Sequence, residues 1–78
     1  MKLTQEQAFG LLAARLEYAR REHPMFAEYT HDAVDVIRDE WRELHNAVHM
    51  GEGPARVLDE ALDVAATAMR LVIGEVQG

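Results

Sequence analysis

Two acidic stretches hold the residues best suited to chemistry: Asp39, Glu40 and Glu43 in the first, and Asp59, Glu60 and Asp63 in the second. Within each, two carboxylates stand three residues apart, Glu40 with Glu43 and Glu60 with Asp63. Residues three apart are neighbours on a helix surface, so each pair shares one face if its segment is helical. A turn-like Gly51-Glu52-Gly53-Pro54 separates the stretches, and a short turn makes successive helices antiparallel neighbours. The two pairs then converge. Four carboxylates in one place repel one another unless a cation lies between them, and an all-oxygen donor set suits a hard divalent ion, Mg²⁺ or Mn²⁺. The expected ligands are Glu40, Glu43, Glu60 and Asp63. Each acidic spacing alone is also common on solvated helix faces, and that reading stands beside the metal site.

Other constellations are weaker. His45 and His49 have the i,i+4 spacing of helical zinc pairs, but no Glu follows His45 in the metalloprotease pattern. A helical wheel also sets them nearly opposite Glu40 and Glu43, so they read as an exposed or partner-facing pair. The chain has no glycine-rich phosphate loop and no cysteine for a nucleophile, a thiolate ligand or a disulfide. Trp41 falls within an apolar seam, which favours packing over base stacking.

The elements that must position the acids follow from periodicity. Thr4 and Gln7 fit a capping box, and Phe9, Leu12, Leu16 and Ala19 recur at helical spacing up to Arg20 and Arg21, so a first helix is expected over 5–21. Pro24 ends it. Met25 and Phe26 then read as apolar anchors that pin the connector onto the core or, alternatively, close a substrate pocket. Thr30 and Asp32 offer cap oxygens for a second helix over 30–50. Its seam of Val34, Ile37, Trp41, Leu44 and Val48 is expected to pack against other helices, with Glu40 and Glu43 on its edge. Gly51 stops that helix. Pro54 opens a third, expected over 54–76, whose apolar surface is too wide for three helices of one chain to cover. A partner subunit is therefore expected, with Leu62, Ala65, Met69 or Val72 at the contact. The polar stripe of this helix runs Arg56, Glu60, Asp63, Thr67, Arg70. Arg56 and Arg70 lie where they could meet phosphate oxygens; Arg70 could equally pair with Asp63 or another acid.

The 78 residues make one domain, 1–78, without internal repeat or linker. The 49% hydrophobic, 6% aromatic composition suits an aliphatic all-α fold, a three-helix subunit assembling into an oligomeric helical bundle. A chain this short gains much from association. The net charge of −6 argues against nucleic-acid polymers and anionic membranes as partners. No apolar run is long enough for a membrane span and the N-terminus lacks a signal-peptide block, so a cytoplasmic location is expected.

Glu40-x-x-Glu43, sixteen intervening residues, then Glu60-x-x-Asp63 on an apolar helix resembles the MazG-like all-α nucleoside triphosphate pyrophosphohydrolases. The acids before each motif, Asp39 and Asp59, match positions commonly acidic in that family. The run from Leu58 to Leu71 is similar to its second metal helix. The segment from His23 to Ala27 resembles small phage-type members. The resemblance covers about residues 17 to 72. It implies helical subunits that dimerise into four-helix bundles and sometimes pair again, with Mg²⁺ held by Glu40, Glu43, Glu60 and Asp63. It also implies hydrolysis of a ribo- or deoxyribonucleoside triphosphate to a monophosphate and pyrophosphate, with Glu40 and Glu43 at the chemistry. Lys2 is the only lysine, so phosphate contacts fall to arginines. The competing reading is a non-catalytic helical oligomerisation or adaptor module that retains an acidic, metal-binding face.

Overall fold

The computed structural model describes residues 2–77; Met1 and Gly78, the ends of the expected 1–78 domain, lie outside it. The chain is all-helical, with α1 Gln5–Glu22, α2 Thr30–His49 and α3 Pro54–Ile73 and, among the described residues, no strand. α3 packs against both other helices, whereas α1 and α2 make no close approach to each other. The third helix is thus the floor on which the other two stand, and a cleft opens between them.

Local signals account for the helix ends. Thr4 Oγ1 accepts from the Gln7 amide at 3.1 Å while the Gln7 side chain accepts from the Thr4 amide at 2.9 Å, the expected capping box. At the start of α2 Asp32 accepts from the Tyr29 amide at 3.0 Å, so the cap residue is Tyr29 rather than Thr30. Gly51 (φ +62°) follows α2, as its position in the sequence suggests. The third helix stops at Ile73, three residues short of the expected 76. Gly74 takes a left-handed conformation (φ +92°), and its amide and that of Glu75 close back onto Arg70. Val76 leaves the helix altogether and bridges to Ala27 in a single parallel pairing.

This C-terminal hook is held by charge. Glu75 accepts from both Arg20 on α1 and Arg70 on α3, and the Arg20 hydrogen bond, followed by that from Arg70, holds its carboxyl below the usual carboxylate range. The Arg70 side chain, 3% exposed, also donates to the His23 carbonyl at 2.9 Å and covers the Phe26 ring at 4.9 Å. Of the two expected anchors of the connector, Phe26 is therefore the one half-buried. Met25 is exposed.

The packing face of α2 differs from the expected seam. Ala33 and Ala47 are fully buried, Val36, Ile37, Glu40 and Leu44 are half-buried, and Val34, Trp41 and Val48 face solvent. The helix is rotated so that its small residues meet α3, where Ala66 is likewise buried. Phe9, expected in the α1 seam, is exposed too, while Leu12, Leu16 and Ala19 are half-buried. Among the described residues every buried apolar side chain is an alanine. Alanine contacts let helices approach closely but remove little apolar surface from water.

Close approach predicts intolerance to bulk. Ala47→Leu is expected to destabilise the fold by about 1–3 kcal/mol through overpacking, whereas Ala55→Leu, at an exposed position of α3, should leave the melting temperature nearly unchanged. Equal effects of the two in thermal denaturation would show that the α2–α3 contact is not close-packed.

Candidate metal centre

The turn after α2 folds α3 back along it, and the acidic faces meet. One carboxylate oxygen from each of Glu40, Glu60 and Asp63 lies within 4.8 Å of the others. Around one octahedral Mg²⁺ with oxygens at about 2.1 Å, neighbouring oxygens stand about 3.0 Å apart and opposite ones about 4.2 Å, so the three side chains would have to draw together by up to about 2 Å to share one ion. Glu43 stands beside this triad and outside its 4.8 Å envelope, close enough to raise both Glu40 and Glu60 through its charge and through a carboxyl–carboxyl contact with each. Three of the four residues expected as ligands are thus brought together, and the fourth adjoins them.

The most telling group is Glu60. It is 3% exposed, and Arg56 one turn earlier forms an ion pair with its Oε1 at 2.8 Å. Its Oε2 is buried without a hydrogen-bond partner. A buried carboxylate oxygen left without a donor carries a desolvation penalty. Burial first, and then the neighbouring acids Glu43 and Asp63, push the Glu60 pKa up; the Arg56 guanidinium only partly offsets them. Glu40 is raised to about 7, by burial and then by the charges of Glu43, Asp63 and Glu60. Two carboxyls that resist ionisation beside two more acids form a site that a divalent cation would relieve. The donors are all oxygen and partly open to solvent, which fits Mg²⁺ or Mn²⁺.

The acids form one wall of an open cleft of about 400 Å³ between α1 and α2. Glu40, Glu43 and Asp63 line it on one side. Tyr18, His23, Met25 and Phe26 line it on the other, and Ala66, Thr67 and Arg70 form its base. An open cleft with one acidic and one largely apolar wall can take a ligand that has a metal-binding end and a flat or apolar end.

The remaining site candidates separate clearly. Arg56 is half-exposed and paired with Glu60. Arg70 pairs with an acid, as one of its two expected roles required, but the acid is Glu75, and its guanidinium is spent on the C-terminal hook and the connector. Asp39 is exposed, within 3.8 Å of Arg42. His45 and His49 stack on each other at 4.0 Å, and His45 lies tilted against Trp41, exposed and away from the acids. Arg15 was not indicated by the acidic spacing, yet it reaches from α1 to Asp63 at 2.6 Å and to Asp59 at 2.5 Å. Its signal in the sequence is a charge set among Leu12, Leu16 and Ala19, on the apolar face of α1.

The raised carboxyls give the metal-free protein a definite pH dependence. In the folded state Glu40 keeps its proton to about pH 7, against an ordinary value of 4.5. The folded state therefore binds more protons than the unfolded chain in that window, and stability falls as pH rises through it. Without divalent ions the melting temperature should drop between about pH 5 and about pH 8, and Glu40→Gln should flatten much of the drop. A melting temperature that rises steadily over that interval would mean that the acids ionise at no cost. No protein-family model, curated protein or solved structure matches the chain, and a functional reading rests on this donor set and its surroundings.

Proposed function

We propose that the chain is a cytoplasmic, Mg²⁺-dependent nucleoside triphosphate pyrophosphohydrolase of MazG-like type, working as a homodimer or homotetramer. The observation that carries the reading is the buried, unpartnered Oε2 of Glu60 within a triad of converging carboxylates. Glu40, Glu60 and Asp63 would hold the ion, with Glu43 as a fourth ligand or a free base. A divalent ion there supplies charge neutralisation on phosphate oxygens and a bound water of lowered pKa. What the chain itself adds is orientation and proton transfer. Glu43 lines the cleft and is exposed, so its carboxylate can take the proton of a water attacking the α-phosphorus. The bond to the β-phosphate oxygen breaks, and pyrophosphate leaves beside the monophosphate. Arg56, expected at a phosphate oxygen, is instead paired with Glu60 and does not line the cleft; the apolar wall of the cleft suits the nucleoside.

The assembly belongs to the same reading. A subunit whose buried apolar residues are alanines has little hydrophobic driving force of its own. Trp41 and Val48 on α2 and Val72 on α3 are more than half exposed, and apolar surface of that extent is characteristic of interfaces. The same surface also favours the competing reading, an adaptor module that binds the cation without turnover.

Two experiments separate these. Millimolar Mg²⁺ or Mn²⁺ should raise the melting temperature by mass action, and Glu60→Gln or Asp63→Asn should abolish the rise. With Mg²⁺, a panel of ribo- and deoxyribonucleoside triphosphates should yield monophosphate and pyrophosphate, lost in Glu43→Gln. Stabilisation by the ion with no product from any nucleotide would leave the adaptor. For assembly, light scattering should give a dimer or tetramer that Trp41→Asp shifts toward monomer. A folded monomer of the unaltered chain at micromolar concentration would remove the oligomer from the reading.

A further inference from the structure

Resting on the cation-site reading above, we propose that Arg15 is the anion-binding residue of this site. In the metal-free protein it holds Asp63 as an internal counter-cation. Once a divalent ion takes that carboxylate, its guanidinium turns to the phosphate oxygens of the ligand.

The placement of Arg15 carries the inference. Its Nη1 donates to Asp63 Oδ1 at 2.6 Å and to the Asp59 carbonyl at 3.0 Å, and its Nη2 donates to Asp59 Oδ1 at 2.5 Å. One side chain from α1 therefore grips the helix that bears two of the three triad acids. The carboxylate it grips is one of those donors. Its side chain is 22% exposed and lines the cleft that the acids face. Asp59 is outside the triad, so it keeps hold of Nη2 when Asp63 is taken, and the guanidinium stays at the cleft instead of swinging into solvent.

The other arginines are accounted for elsewhere. Arg20 and Arg70 are bound to Glu75, Arg38 to Asp35, Arg42 to Asp39 and Arg56 to Glu60, and Arg21 is exposed on α1 and does not line the cleft. Only Arg15 and Arg70 line the cleft among the described residues, and Arg70 is buried under the connector. Charge points the same way. Five carboxylates, Glu40, Glu43, Asp59, Glu60 and Asp63, meet two guanidiniums, Arg15 and Arg56, so the site is net negative by three when all are ionised. One or two divalent ions bring it near neutrality, and Asp63 then no longer needs Arg15. A guanidinium fork matches two phosphate oxygens as well as it matches a carboxylate. The ligand class is a phosphate or diphosphate anion that arrives together with the metal.

The test is a pair of calorimetric titrations on the wild type, Arg15→Gln and Arg15→Lys, each variant first checked for helical content and melting temperature. Mn²⁺ is titrated alone; pyrophosphate is then titrated at a fixed, saturating Mg²⁺ concentration. Arg15→Gln should bind Mn²⁺ at least as tightly as the wild type, because a competing cation has gone. Its affinity for magnesium pyrophosphate should fall on the order of ten-fold, the loss of a charge-assisted hydrogen bond. Arg15→Lys should recover part of that affinity. Weaker Mn²⁺ binding by Arg15→Gln would overturn the proposal, since Arg15 would then position Asp63 for the ion. Unchanged pyrophosphate affinity would overturn it too, leaving Arg15 as a tether between helices; if Arg15→Gln does not fold, wild-type affinity in the likewise uncharged Arg15→Met has the same force. Either result leaves the cation site standing if wild-type Mn²⁺ binding is abolished by Glu60→Gln. A wild type that takes up no Mn²⁺ removes the cation site and this role of Arg15 together.

Discussion

The burial of Glu60 constrains most of what surrounds it. Its carboxylate sits under α2 with one oxygen satisfied by Arg56 and the other unpartnered. Three further acids, Glu40, Glu43 and Asp63, add their charge to the same spot. Such an arrangement is unfavourable on its own, because desolvation and like-charge repulsion act together on groups that prefer to ionise. The metal-free chain answers it in two ways. Burial and like charge push the Glu40 carboxyl up, which favours its protonated form, and guanidiniums are drawn in from α1 and from the preceding turn of α3. A divalent cation would do the same work with two charges in one place.

That local conflict is tolerable because the helices are held by other means. α2 and α3 are in contact, both bury alanines, Ala33 and Ala47 on one and Ala66 on the other, and the acids of the two helices lie within a few ångströms. The opposite end of the subunit is closed by a different charge set: Glu75 between Arg20 and Arg70, with Val76 bridged to Ala27. The connector between α1 and α2 is thereby fixed over the cleft. Charge is neutralised at the hook, where Glu75 is stabilised as a carboxylate, and left in excess at the triad.

The small-residue contact has a second consequence. Turning the alanine face of α2 inward turns Val34, Trp41 and Val48 outward. The site and the exposed apolar stripe are thus two results of one rotation about the helix axis. A subunit folded in this way brings its acids together and leaves Val34, Trp41 and Val48 exposed.

Much of this was legible in the sequence. The three helices, the Thr4 capping box, the stops at Pro24 and Gly51 and the convergence of Glu40, Glu60 and Asp63 all follow from signals that act within a few residues or across one short turn. The expectation of a third helix to 76 misses the Gly74 stop, because it follows the apolar run through to Val76. Tertiary structure decided which side of α2 faces α3, because large apolar residues at helical spacing mark a seam without showing whether alanines beside it permit a closer contact. It also decided that Glu43 adjoins the triad, that Arg70 is spent on Glu75, and that Arg15 is the cation facing Asp63. These are pairings between residues on different helices or beyond a helix end. They depend on interhelical distance and rotation, and periodicity within one helix carries information about neither.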